Sequence, residues 1–153
     1  MNMLIKTTRF GEVEVPEEQV MEFPIGLPGF AEEKFFVFVE FGQNSPFYFM
    51  QSTVSPDLTF IVANPRVFFP DYELHVSADA LDFMEAEKEE DMAIYAILSV
   101  PDDFRLTTAN LLAPILINTK LKRGLQSIPP QSPYGTRHPI FPAKPQEKMA
   151  EAR

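Results

Sequence analysis

The sequence contains no cysteine. That absence excludes disulfides, thiolate metal ligands and a thiol nucleophile together. Only two histidines are present, His75 and His138. Neither has a second histidine or a carboxylate at ligand spacing, so no zinc site is expected. No apolar run approaches the roughly 20 residues that a membrane-spanning helix requires. Residues 1–11 mix Lys6 and Arg9 with alternating apolar positions and lack the apolar centre and small-residue cleavage site of a secretory leader. A Walker phosphate loop, a dinucleotide glycine fingerprint, a metalloprotease helix motif and a serine nucleophile elbow are missing as well. The expectation is a cytoplasmic protein, not held in a membrane, with no catalytic residues, no metal and no cofactor.

Basic charge is also scarce over most of the chain. Residues 1–128 hold 9 Lys and Arg against 20 Asp and Glu, a net −11, whereas residues 129–153 hold 4 against 2, a net +2. A body this acidic repels phosphate, which argues against direct nucleic-acid binding. It suits a basic partner, although acidity alone also serves solubility. Carboxylates crowd at Glu85, Glu87, Glu89, Glu90 and Asp91. The alternating ligands and central glycine of a calcium loop are absent there, so the run reads as a solvated charged segment.

At 153 residues and 45% apolar content, the chain fits one domain with an ordinary core. Met3 to Arg9 and Gly11 to Val15 alternate like two short strands around a turn, and Val20 to Phe23 extends the pattern. Phe35 to Phe41 is almost wholly apolar, which predicts a strand covered on both faces. Phe47 to Ser52, Leu58 to Ala63 and Met92 to Val100 read as further strands, as does Leu111 to Asn118 with Pro114 at an edge or bulge. Arg123 to Ile128 is the last. Tyr72 to Val76 alternates in the same way around His75. The helix signal is Ser77 to Glu87, where Ser77 can cap, Asp79 suits the positive end of the dipole, and Leu81 and Met84 share a face. The predicted fold class is mainly β: a compact closed or nearly closed β-barrel-like domain with one short helix. It occupies residues 1–140, and residues 141–153 form a C-terminal tail expected to be disordered.

Four segments join prolines to large apolar residues more than a plain barrel needs: Phe23 to Phe30, Asn64 to Tyr72, Thr108 to Ile115 and Tyr134 to Ile140. Proline presets backbone shape, and preset aromatic residues make good contact anchors. For Phe68 and Phe69 the alternatives are core packing and partner contact. For Arg137 and His138 they are a local hydrogen-bonding role and partner contact.

These segments carry a resemblance. The turn Phe23–Phe30, Ser45-Pro46-Phe47-Tyr48 with Gln51-Ser52, and Pro56-Asp57-Leu58 are similar to the FliW flagellar assembly factors of bacteria. The series continues through Asn64-Pro65 to Phe69-Pro70-Asp71-Tyr72, Val100-Pro101, Thr108 to Asn118, Gly124 with Gln126, and Arg137-His138-Pro139. No single piece is specific, but their consistent order over residues 3 to 140 is. The resemblance implies a β-barrel-like protein without enzymatic activity that binds flagellin in the cytoplasm. It also implies binding to CsrA, a small dimeric RNA-binding protein that blocks translation of flagellin mRNA. The candidate partner-binding residues are Asn64, Phe68, Phe69, Pro70, Asp71, Tyr72, Asn110, Leu111, Leu112, Pro114, Arg137 and His138, any of which could instead serve the core. The competing classes are a flagellin chaperone without a translational role and a small enzyme using a carboxylate pair.

Overall fold

The computed structural model describes residues 1–141. The chain forms strands β1 (Asn2–Thr7), β2 (Gly11–Pro16), β3 (Met21–Glu22), β4 (Phe35–Glu40), β5 (Phe47–Ser52) and β6 (Thr59–Ala63). Helices α1 (Pro65–Phe68) and α2 (Ala78–Phe83) follow, and then β7 (Ala93–Ser99), β8 (Thr108–Ala109), β9 (Ile115–Asn118), β10 (Arg123–Gln126) and β11 (His138–Pro139). Strands β3, β4, β5, β6, β7, β9 and β10 pair in a closed circuit, since β7 meets β9 and β10 returns to β3. The result is a seven-stranded barrel. All of its pairings are antiparallel except the parallel bridge of Arg123 to Glu22 that closes it. Closure leaves no long apolar edge within the circuit.

Alternation along the strands sorts the side chains into three clusters. Phe23, Phe36, Met50, Val62, Ile115 and Ile117 meet one another from strands all around the circuit and fill the barrel interior. The intervening residues Ala63, Ile94, Ala96, Leu98, Leu116 and Leu125 face outward and are covered by Tyr72, Leu74, Ala80, Met84, Leu111 and Ile140. On β4 the outward residues are Val37 and Val39, covered by Ile5 and Val15 of the β1–β2 hairpin. The centre of the run, Phe36 to Val39, is therefore apolar because both of its faces are covered. Two glycines are fixed by space. A Cβ on Gly124 would lie 2.4 Å from the Phe23 ring, and at Gly26, where φ is +67°, a Cβ would lie 2.5 Å from the Phe30 and Ala31 carbonyl oxygens.

The structure corrects several local expectations. There are two α-helices among the described residues, not one. Asn64 caps α1 by accepting from the Arg66 N–H at 2.9 Å, and Pro65 stands at its first turn. Both signals are legible in the sequence. The second helix is capped by Ser77 as expected, but it ends at Phe83, not Glu87, because Glu85 turns to φ +51° and the Ala86 N–H closes back onto the Leu81 carbonyl. Tyr72 to Val76 alternates in burial yet joins no sheet. The stretch from Leu111 to Asn118 becomes a strand only at Ile115. The Asn110 side chain accepts from the Leu112 and Ala113 N–H groups, each at 3.1 Å, and so holds a turn there, while Pro114 offers no N–H to a ladder. Phe141, assigned to the tail from sequence, packs with ring centroids 6.2 Å from Phe68 and 5.2 Å from Phe104. The remainder of the 141–153 tail lies outside the described residues. No helix among the described residues is long and apolar enough to cross a membrane.

Candidate functional site

Three of the four proline-and-aromatic segments meet on one side of the barrel. The short α1 and the chain after it supply Phe68 to Tyr72, the β8 region supplies Thr108 to Leu112, and residues 134–141 form a strap across both. The strap is tied by backbone bonds. His138 pairs with Ala109 and Pro139 with Thr108. The Leu111 and Leu112 N–H groups both donate to the Gly135 carbonyl, at 3.2 and 3.1 Å, and the Ile140 N–H donates to the Thr107 carbonyl at 3.1 Å. Side chains complete the seam. The Glu73 N–H donates to the Tyr134 hydroxyl at 2.9 Å, and the Gly135 N–H donates to His138 Nε2 at 2.8 Å. The Tyr134 ring lies 4.8 Å from Tyr72 and 5.9 Å from His138, whose ring lies 6.1 Å from Phe69.

Tyr72 is the buried post of this seam. Its hydroxyl donates to the Leu111 carbonyl at 2.9 Å. Burial, followed by the neighbouring Tyr134 hydroxyl, pushes its pKa up to about 12. The phenol therefore stays protonated as a donor throughout the neutral range.

The twelve candidate residues divide by exposure. Asn64, Pro70, Asp71 and Arg137 are exposed, and Phe68, Phe69, Asn110, Leu112 and His138 are half-buried. Tyr72, Leu111 and Pro114 are buried. The side chains of these three lie inside the domain, which is the core alternative left open for them. Asn64 and Asn110 are exposed in part, but their side-chain oxygens already serve as a helix cap and a turn brace. His138 has the local bonding role weighed for it, accepting from Gly135. Phe68 lies between Phe47, at 5.7 Å, and Phe141, at 6.2 Å, and belongs half to the core and half to the surface. The Phe23–Phe30 segment lies apart from this seam, with Phe23 buried inside the barrel. The sequence reading omitted Tyr134 and Gly135 from the site. Their signal was the spacing of Tyr134 and Gly135 before His138-Pro139, which has no meaning until the strap is docked.

A second feature lies along the chain after α2. Glu85, Glu87, Glu90 and Asp91 are exposed. The Asp91 carboxylate accepts from the Glu87 and Lys88 N–H groups at 3.2 and 3.3 Å, which shapes the run into a tight turn. Glu85 is paired with Arg123 at 2.9 Å, and the same guanidinium donates to the Phe83 carbonyl. Among the described residues no group of three or more His, Asp or Glu side chains could hold a metal ion.

The sequence model of the family described as "FliW protein" matches residues 4–140. The chain belongs to the FliW family. A flagellar assembly factor FliW from Syntrophomonas wolfei is 44% identical over 151 residues, covering 98% of this chain and 97% of that protein. The flagellar assembly factor FliW of Bacillus subtilis is 38% identical over 138 residues, covering 90% of this chain and 96% of its own length. A crystal structure of the flagellar assembly factor FliW matches this fold with a TM-score of 0.87 at 39% identity, covering 93% of this chain and 99% of that one. The family is one of flagellar assembly factors.

Proposed function

We propose that this FliW protein is a cytoplasmic, non-enzymatic regulator that binds flagellin and CsrA, and that by taking CsrA off flagellin mRNA it lets translation resume. The observation that carries the reading is charge. A body of net −11 over residues 1–128 places four exposed carboxylates on the single turn Glu85–Asp91. An RNA-binding protein must offer a basic surface to phosphate. An acidic body docked beside that surface raises the electrostatic cost of bringing RNA near, without touching the RNA-binding residues. Residues 1–140 do the binding in this reading, and the exposed candidates Asn64, Pro70, Asp71 and Arg137, with half-buried Phe68, Phe69, Asn110, Leu112 and His138, supply partner contacts beside the seam.

Mixing the purified chain with CsrA and, separately, with a flagellin C-terminal segment tests this. Binding to both supports it. Binding to flagellin alone would remove the translational role and leave a flagellin-specific chaperone.

A further inference from the structure

Seven phenylalanines form an unbroken file of ring contacts from the surface through one buried member, Phe49, which is 5% exposed. From Phe10 the file passes to Phe49 at 5.0 Å, to Phe41 at 4.9 Å and to Phe47 at 6.2 Å. It continues to Phe68 at 5.7 Å, to Phe141 at 6.2 Å and to Phe104 at 5.2 Å. Phe41 and Phe104 are 51% and 59% exposed. Between them opens a pocket of about 130 Å³, lined by Phe41, Phe47, Ile61, Val100, Phe104 and Phe141. That volume is well below the roughly 300–1,000 Å³ of small-molecule sites, and it suits one branched aliphatic or aromatic side chain. The one hydroxyl on its wall, Thr107 Oγ1, already donates to the Phe104 carbonyl at 2.5 Å. The pocket thus has no polar group to offer.

We infer that this pocket and file form a docking groove for an amphipathic α-helix of another protein that carries basic residues beside its apolar stripe. The backbone decides for a helix over an extended peptide. The adjoining edge strand, β11, is only two residues long, and one of them is Pro139, so it offers an added strand at most the N–H of His138. The Ile140 N–H is already given to Thr107. An occupant must therefore satisfy its own backbone, as a helix does. Charge decides the flank. Glu40 adjoins Phe41 and Asp102 lies between Val100 and Phe104; both are exposed, and neither forms an ion pair with another described residue. The neighbouring Asp103 carboxylate is engaged by Arg105, whose hydrogen bonds hold its pKa below the ordinary range. A second copy of this chain is a poor occupant, because its described helices span only four and six residues.

The proposal deepens the reading of FliW as a flagellin binder, and rests on it only for one of the two probes. The first probe is a labelled helical peptide of about 20 residues, with leucines at helical i, i+3, i+4 and i+7 spacing and flanking lysines. Its control is the same peptide with two central polar residues replaced by proline, which prevents the helix. Fluorescence anisotropy with the full chain is expected to show binding of the helical peptide and none of the control. Affinity should fall by roughly tenfold or more in Phe104→Ser, Phe41→Ser and Val100→Glu. All three side chains are more than two-fifths exposed, so circular dichroism melts should match the parent, and three independent variants guard against one misfolding. Binding of the variants within about twofold of the parent, equal binding of the proline control, or a homodimer that Phe104→Ser dissolves would each overturn the inference. The second probe is flagellin. If the variants bind both flagellin and the helical peptide as the parent does, the groove is wrong and the flagellin reading stands. If the helical peptide binds in the groove and flagellin does not bind at all, the groove stands and the flagellin reading falls.

Discussion

Replacing Tyr72 with Phe tests whether the seam is held by one buried hydrogen bond. The side chain is 5% exposed, and its hydroxyl reaches the Leu111 carbonyl at 2.9 Å. Tyr72→Phe keeps the ring contact with Tyr134 but leaves that carbonyl without its donor. An unsatisfied buried acceptor costs about 1–3 kcal/mol. Taking the middle of that range, and about 2–4 °C per kcal/mol at this chain length, the melting temperature should fall by roughly 4–8 °C. The pH dependence adds a second reading. Folding raises the Tyr72 pKa from 10.0 to about 12. The folded state then holds the proton more tightly than the unfolded chain. Its stabilising contribution is complete below the ordinary pKa and is lost as pH rises through the folded one. A displacement of this size corresponds to at most about 3 kcal/mol. Burial, followed by the Tyr48 hydroxyl, also raises the Tyr95 pKa, but Tyr95 is present in both proteins, so the difference between them isolates Tyr72. Urea unfolding followed by circular dichroism from about pH 8 to about pH 11.5 measures it. The stability gap between parent and variant should narrow as pH rises. A variant as stable as the parent at the lower pH, or a gap that stays constant with pH, would refute the reasoning.

Three further outcomes are expected. Gly124→Ala places a methyl 2.4 Å from the Phe23 ring inside the barrel, and should cost about 1–3 kcal/mol in thermal or urea melts; an unchanged midpoint would mean that Phe23 can move aside. Reversing the charges of Glu87, Glu89, Glu90 and Asp91 together should weaken RNA displacement from CsrA and flatten its salt dependence in a competition assay. Full displacement with unchanged salt dependence would remove the electrostatic account. Deleting residues 142–153 should leave binding of flagellin and CsrA within about twofold, as measured by calorimetry, and a larger loss would move part of the site into that segment.

The sequence by itself determined most of the strands. Period-two alternation marked β1 and β2, apolar runs marked β4 and β7, and Ser77 marked the start of α2. These are local signals, written in residues that neighbour one another along the chain. The ordered proline and phenylalanine segments pointed to the FliW family for the same reason. What only the tertiary structure decided was which face each residue met. Tyr72 and Leu111 looked like surface anchors, but the strap at residues 134–141 lies across them, and the order of the chain does not announce that strap. Barrel closure rests on the single bridge of Arg123 to Glu22, a contact between distant segments that no window of sequence contains. The phenylalanine file is the clearest case. Its seven rings come from six separate stretches of chain, and most of them meet because the sheet order β4-β5-β6-β7-β8-β11 sets those stretches side by side.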